Sequence, residues 1–241
     1  MRYGGETADA ESGSAPARNA DVANVVRSRW RICIGPEPSS LAGPTVTLRD
    51  SIAAILACRR PREETVPGYR RAAVLLPLYE AEAGPHFVLT KRTERVPTHK
   101  GQISFPGGGF QDGDGDLLGT ALRETEEEIG LRRGDVDVVG ALDDTVTAAS
   151  SHVVRPFVGF IPHPYPFRLD AFEIEQLVHL PLRPLLGPNG FREEVWERDG
   201  RWHPVVFCEH DGHTVWGLTA RILRQFVEIV GAPLGRDGRL P

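Results

Sequence analysis

The sequence has few cysteines and no long apolar run, and both absences narrow the classes of protein to which it can belong. Its 241 residues include three cysteines, Cys33, Cys58 and Cys208, an odd number at wide spacing that is not a disulfide framework. These cysteines also lack the close pairing that is typical of zinc sites. No stretch of about 18 apolar residues occurs, so we expect no membrane-spanning helix.

The chain also lacks an apolar leader and a strong charge of either sign. The first seven residues, Met1 to Thr7, contain no apolar core segment, so we expect a cytoplasmic protein rather than a secreted one. A formal net charge of −5 does not provide the basic face on which nucleic-acid binding depends. We therefore expect neither nucleic-acid nor membrane partners, and the oligomeric state, monomer or homodimer, stays open.

A composition of 40% hydrophobic residues can bury one sizeable core, so we predict a single domain with extensions. The predicted organisation is a disordered tail over 1–22, an N-terminal helical extension over 23–70, a main domain over 71–232 and a C-terminal tail over 233–241. Amphipathic helices are predicted over 47–58 and 218–230. The predicted strands are 72–79, 86–91, 136–142, 153–161, 194–197, 202–208 and 213–216. Asp199-Gly200 and Asp211-Gly212 are hairpin turns in this scheme, and the whole pattern predicts an α/β sandwich with a mixed sheet.

The strongest functional signal is a run of carboxylates on a predicted helix. Residues 123–130 read Arg-Glu-Thr-Glu-Glu-Glu-Ile-Gly. In a helix, Glu124, Glu127 and Glu128 stand at i, i+3 and i+4 and project from one face. Like charges at this spacing repel by about 0.2–0.5 kcal/mol per pair. Such a face is either fully solvated or holds a cation.

The residues around this run favour the cation. A mostly apolar stripe would dock the helix on a core and aim the carboxylates: Leu118, Leu122, Thr125 and Ile129. Asp116 is the predicted N-cap, and Gly130 the residue at which the helix ends. The preceding glycines, 107–109, permit a tight approach of backbone to a ligand. Three aimed carboxylates form a hard oxygen site that suits Mg²⁺ or Mn²⁺ better than zinc.

The run from Gly108 through Asp114 to the Arg123–Gly130 segment resembles the Nudix box, the metal-binding loop and helix of Nudix hydrolases. The resemblance implies the Nudix α/β/α sandwich and metal ligation by Glu124, Glu127 and Glu128 together with the backbone of Gly108. Arg123 would orient the carboxylates through its i, i+4 pairing with Glu127. The box usually has a glutamate where this chain has Gly115. Asp114 takes that role only if the loop holds one extra residue.

A second segment resembles the element that precedes the Nudix box in coenzyme A pyrophosphatases. It includes the two lysines of the chain, Lys91 and Lys100, and it implies a substrate-binding set: Lys91, Arg92, His99, Lys100, Gly101, Gln102, Gly107 and Gly108. With Arg95 these side chains make a local positive patch suited to phosphates. Trp216–Leu223 resembles the start of that family's C-terminal helix. Pro97 and Thr93 stand where the element often has Arg and Ser.

The resemblance implies hydrolysis of the diphosphate of coenzyme A or acyl-CoA to 3′,5′-ADP and 4′-phosphopantetheine or its acyl form, with Mg²⁺ or Mn²⁺. Because Pro97 and Thr93 depart from the usual element, another nucleoside diphosphate such as ADP-ribose stays an alternative. A non-catalytic nucleotide-binding domain is a further alternative, although such domains usually lose box glutamates. The general base is either a box glutamate or one from a later loop, for which Glu173 is our candidate.

Overall fold

The fold is organised around an eight-stranded mixed sheet. The computed structural model describes residues 46–147, 150–198 and 200–231. The predicted tails 1–22 and 233–241, and the part of the extension before residue 46, lie outside them. The strands follow the path β3-β2-β1-β7-β5, with β4 on β1, β6 on β7 and β8 on β2. Their bounds are β1 Arg70–Ala81, β2 Gly84–Arg92, β3 Ile103–Ser104, β4 Gly107–Gly109, β5 Asp137–Ala141, β6 Thr145–Thr147, β7 His152–Phe160 and β8 Ile174–Pro181.

Strands β1 and β7 are parallel, whereas the other pairs in this sheet are antiparallel. The predicted mixed sheet is therefore confirmed. Side chains alternate between the two faces of β1. Leu76 and Leu78 join one buried cluster, whereas Ala73 and Leu75 join the other.

Helices cover both faces, which gives the α/β/α sandwich. Their bounds are α1 Leu48–Ala57, α2 Leu117–Ile129, α3 Leu182–Leu185 and α4 Leu218–Val230, with a 3₁₀ turn at Arg133–Asp135. Helix α2 packs on the Ala73–Leu75 face, and α1 and α4 contribute to the opposite cluster. Burial of each large aliphatic or aromatic side chain there contributes about 1.5–3 kcal/mol. None of the described helices is long and apolar enough to cross a membrane.

A second, three-stranded sheet follows the main one along the chain. It contains β9 Arg192–Arg198, β10 Arg201–His210 and β11 His213–Trp216 in the order β11-β10-β9. The predicted turn at Asp211-Gly212 is confirmed, because it joins β10 to β11 and both residues have positive φ, 48° and 75°. Asp199 of the other predicted turn lies outside the described residues.

Strand β8 is missing from the predicted strands. It pairs antiparallel with β2 along its length. Ile174, Val178 and Leu180 are buried in the alternating pattern of a strand, but Leu177 on the opposite face packs against the α2 cluster. Gln176 on the buried face and Leu177 on the other face interrupt the alternation of polar and apolar residues from which a strand is predicted. The strand brings Glu173 beside Arg92 at the end of β2.

Candidate active site

Two aspartates hold the loop that leads from β4 into α2. Asp116 caps the helix by accepting a hydrogen bond from the backbone N–H of Gly119 at 2.7 Å, which confirms the predicted N-cap. Asp114 accepts from the backbone N–H of Gln111 at 2.9 Å and from the Thr120 hydroxyl at 2.7 Å. The helix ends at Gly130, as predicted, and this glycine has φ 69°, in the left-handed region that is typical of helix ends.

Arg123 connects this loop to the carboxylates of the helix. Its Nε donates to Asp114 at 2.6 Å, and its two terminal nitrogens lie 2.8 Å from Glu124 Oε1 and 3.0 Å from Glu127 Oε2. The guanidinium holds the pKa of Asp114 well below its usual value, and these partners raise the pKa of Arg123. Both oxygens of the buried Asp114 carboxylate accept hydrogen bonds from Arg123. Asp114 therefore positions Arg123.

The three helix carboxylates lie at three different depths. The exposed side-chain fractions are 61% for Glu127, 18% for Glu124 and 8% for Glu128. Glu127 faces solvent and pairs with Arg123, whereas Glu128 points inward towards β4 and Arg92. The three glutamates, predicted to share one face of the helix, therefore differ in burial, from the exposed Glu127 to the buried Glu128.

Burial raises the pKa of the two inner carboxylates, Glu124 and Glu128, which disfavours their charged forms when no cation is bound. Burial, with a further contribution from the charge of Glu124, raises the pKa of Glu128 to about 8 despite the attraction of Arg92. Burial also raises the pKa of Glu124, against the opposing effect of Arg123. One oxygen of Glu128, Oε2, is buried without a hydrogen-bond partner. A cation would supply what this oxygen lacks.

The glycines of β4 let the helix approach the sheet closely. A Cβ on Gly108 would stand 2.6 Å from the Glu124 carboxylate. A Cβ on Gly107 would stand 2.3 Å from the Ala73 carbonyl oxygen, and the φ of Gly107 is 150°. Glu124 therefore occupies space that any side chain at residue 108 would take.

Arg92 links the helix carboxylates to the later loop. Its terminal nitrogens lie 3.5 Å from Glu128 Oε1 and 3.2 Å from Glu173 Oε2. The structure thus brings Glu173 to the glutamate cluster from the start of β8. Thr93 fixes this approach, since its hydroxyl donates to the Phe172 carbonyl at 2.6 Å and its N–H to the Glu173 carbonyl at 2.8 Å. Thr93 is buried, and a serine at this position could form the same hydrogen bond to Phe172. The replacement of the usual serine by threonine therefore affects the loop before β8.

The remaining residues of the predicted substrate-binding set do not form one continuous patch of unpaired cations. Lys91 pairs with Glu175 at 2.9 Å. His99 Nδ1 lies 2.8 Å from Gln102 Oε1 in the loop between β2 and β3, where His99 and Gly101 both have positive φ. Lys100 is exposed, and no described residue forms an ion pair with it.

The donor set fits a hard divalent ion. It consists of carboxylate oxygens, one of them buried and unpartnered, beside a glycine backbone. Within residues 46–147, 150–198 and 200–231, no group of three or more His, Cys, Asp or Glu side chains is already gathered as a metal site. Glu124 and Glu127 instead turn towards Arg123, so these side chains must rotate to bind an ion together.

Comparison with known proteins identifies the family of this chain. The family model described as the NUDIX domain matches residues 68–182. A protein from Escherichia coli strain SMS-3-5, described as the uncharacterized Nudix hydrolase NudL, is 32% identical over 187 residues, which cover 78% of this chain and 96% of the relative. The same protein from E. coli O1:K1 / APEC matches with the same identity and coverage.

Solved structures similar to this chain include a MutT/nudix family protein from Enterococcus faecalis. Its TM-score is 0.43 at 14% identity, covering 70% of this chain and 71% of that one. A Caenorhabditis elegans Ap4A hydrolase binary complex has a TM-score of 0.41 at 19% identity, covering 48% of this chain and 83% of that one.

Proposed function

Since the chain belongs to the Nudix hydrolase family, we propose that it cleaves the diphosphate bond of coenzyme A or an acyl-CoA. The products would be 3′,5′-ADP and 4′-phosphopantetheine or its acyl form. Nudix hydrolases act on nucleoside diphosphate derivatives and generally use divalent ions such as Mg²⁺ or Mn²⁺. The choice of coenzyme A is supported by the run from Lys91 to Gly108, which resembles the element found in coenzyme A pyrophosphatases.

The observation that carries the catalytic part of the proposal is the buried, unpartnered oxygen of Glu128 beside Glu124. Glu124, Glu127 and Glu128 would hold the metal, with the Gly108 carbonyl as a further ligand. A bound divalent ion supplies charge neutralisation on the diphosphate oxygens and activation of a water. Arg123 is a positioning residue, because it holds Glu124 and Glu127 while Asp114 holds it.

Glu173 is our proposed general base. It reaches the glutamate cluster through Arg92, and 41% of its side chain is exposed, so water can reach it. A carboxylate in this position could accept the proton of the attacking water. Glu173→Gln should lower kcat while leaving metal affinity close to wild type. If Glu173→Gln keeps the wild-type kcat, the base is one of the helix glutamates.

The test of the reaction is substrate profiling with Mg²⁺ and Mn²⁺. Coenzyme A, its 3′-dephospho form, ADP-ribose and NADH would be compared, and the products identified by chromatography. Release of 3′,5′-ADP from coenzyme A supports the proposal. Better turnover of ADP-ribose would replace the substrate but keep the metal chemistry, and no turnover of any of them would favour a nucleotide-binding domain without catalysis.

Two variants on one helix separate an enzyme from a binding domain. Glu127→Gln should lower turnover by more than about 100-fold. It should change the free energy of unfolding by less than about 1 kcal/mol, because Glu127 is 61% exposed and Arg123 keeps Asp114 and Glu124 as partners. Glu126→Gln is the matched control, since Glu126 is exposed on the same helix and contacts none of these groups. Equal turnover in both variants would contradict the metal site.

A further inference from the structure

A cleft of about 420 Å³ opens beside Glu124, and its residues differ from those of the Lys91–Gln102 segment. It is lined by the beginning of β1, the beginning of β7 and the residues that follow β4, and it includes Arg70, Phe110, His152 and Glu124. Its volume lies in the range of about 300–1,000 Å³ that is typical of ligand pockets. Arg92, Glu128 and Glu173 are not part of its lining.

The sheet register explains why these residues meet. Arg70 lies opposite His152 in the parallel pairing of β1 with β7. The antiparallel pairing of β1 with β4 continues into a hydrogen bond from the Phe110 N–H to the Arg71 carbonyl at 3.0 Å. The backbone around the cleft is therefore held by strand pairing on two sides.

Arg70 and Phe110 are exposed in a way that Arg71 is not. The Arg71 guanidinium is held by Asp144 at 3.3 Å and by the Glu64 carbonyl at 3.0 Å. Arg70 is exposed, and no described residue forms an ion pair or side-chain hydrogen bond with it. Phe110, 40% exposed, is one of the large hydrophobic side chains left open on the surface.

Two cations of the Lys91–Gln102 segment are already paired with carboxylates, which leaves fewer of them to bind a substrate phosphate. Lys91 is paired with Glu175, and Arg92 with Glu128 and Glu173. Arg95 and Lys100 are exposed and, like Arg70, form no ion pair with a described residue. Arg70 differs from them in its place, because it lines a cleft that contains a proposed metal ligand, Glu124.

We propose that this cleft binds the nucleotide half of the substrate, with the base against Phe110 and the ribose phosphomonoester on Arg70. This inference rests on the proposed function and names the residue that would select a nucleotide carrying a third phosphate. An arginine binds a phosphate dianion through paired, charge-assisted hydrogen bonds. An exposed aromatic ring offers a stacking face to a base. His152 flanks Arg70 at the rim.

The experiment measures binding of product without metal, and separately the selectivity of turnover. Calorimetry without divalent ions would compare 3′,5′-ADP with 5′-AMP on the full chain. Arg70→Ala should weaken 3′,5′-ADP binding by about tenfold or more while changing 5′-AMP binding by less than about threefold. Arg133→Ala is the matched control, because Arg133 is also exposed and no described side chain pairs with it. Phe110→Leu, which keeps an apolar side chain but removes the ring, should weaken both nucleotides.

Steady-state kinetics test the same proposal independently of the binding measurement. In Arg70→Ala the ratio of kcat/KM for coenzyme A to that for its 3′-dephospho form should fall towards one. If this ratio falls in Lys100→Ala and not in Arg70→Ala, the phosphate is read in the β2–β3 loop and the inference is overturned. If coenzyme A is not a substrate but 3′,5′-ADP binding still depends on Arg70, the cleft assignment stands and the proposed substrate fails. If coenzyme A is cleaved and Arg70→Ala changes neither readout, the proposed function stands and the cleft assignment fails.

Discussion

Alanine at each of the three glycines of β4 should give three different outcomes, because the space above each glycine differs. At Gly107 an added Cβ would lie 2.3 Å from the Ala73 carbonyl oxygen and 2.6 Å from the Val74 Cα, both on the backbone of β1. At Gly108 the three nearest atoms would all belong to the Glu124 carboxyl group, the closest at 2.6 Å. At Gly109 it would meet nothing within 4 Å.

Gly107→Ala should damage the fold. The φ of 150° is costly for any residue with a Cβ, by about 1–3 kcal/mol. Overlap with backbone adds about 1–3 kcal/mol, because neither strand can move without repacking its neighbours. A combined loss of about 4 kcal/mol corresponds to a Tm lower by about 10 °C for a domain of this size.

Gly108→Ala should damage function and spare the fold. The carboxyl group of Glu124 is the end of a flexible side chain and can swing away. The cost is its contact with Arg123 at 2.8 Å, about 1.5 kcal/mol for a hydrogen bond to a charged group, because Glu124 can turn to water while Arg123 keeps Asp114 and Glu127. A misplaced metal ligand should lower kcat by about 10–100-fold. Gly109→Ala should change stability little, within about 0.5 kcal/mol.

Thermal unfolding without metal and turnover at saturating Mg²⁺ together test this series. A wild-type kcat in Gly108→Ala would refute the requirement for Glu124 at its position against β4. A wild-type Tm in Gly107→Ala would refute the close contact between β4 and β1.

Two further predictions concern buried carboxylates. Asp144, whose side chain is fully buried, is held by Arg155, by Arg71 at 3.3 Å and by the Glu64 N–H at 2.9 Å. Asp144→Asn should therefore lower the free energy of unfolding by about 3–5 kcal/mol in urea titrations, and a change under 1 kcal/mol would contradict a structural role for this network. Because the pKa of Glu128 is raised from 4.5 to about 8, the metal-free folded protein keeps a proton there that the unfolded chain releases. Stability without metal should then fall as pH rises from about 4.5 to about 8 and level off above that. Mg²⁺ should reduce this fall, Glu128→Gln should remove its contribution, and an identical pH profile in that variant would refute the assignment.

Local signals were sufficient to predict much of the fold and of the site. The glutamates, Arg123, the Asp116 cap and the Gly130 stop are all set by one helix and its ends, so spacing alone predicts them. Strand β8 is not predicted, because Gln176 on its buried face and Leu177 on its other face break the alternation of polar and apolar residues. The sequence also does not show that Glu173 pairs with Arg92, since 81 residues separate the two in the chain.

The roles of charged residues were harder to predict than their positions. The sequence shows where Lys91 and Arg92 are, but their partners lie far along the chain: Glu175 in β8, Glu173 just before it, and Glu128 in α2. Arg70 carries no local motif at all, and its place beside Glu124 follows from long-range strand pairing. Whether a cation is free or neutralised is a property of the tertiary structure.

Arg92 and Arg123 affect the stability of the protein when no metal is bound. Each arginine contacts two glutamates of the site, so the charges of Glu124, Glu127 and Glu173 already have internal counterions, while Glu128 keeps a proton. In the proposed metal site, an ion would replace an arginine contact or the proton of Glu128, so we expect folding not to depend on metal uptake. We therefore expect the chain to remain folded when a chelator removes its ion, and to bind an ion again afterwards.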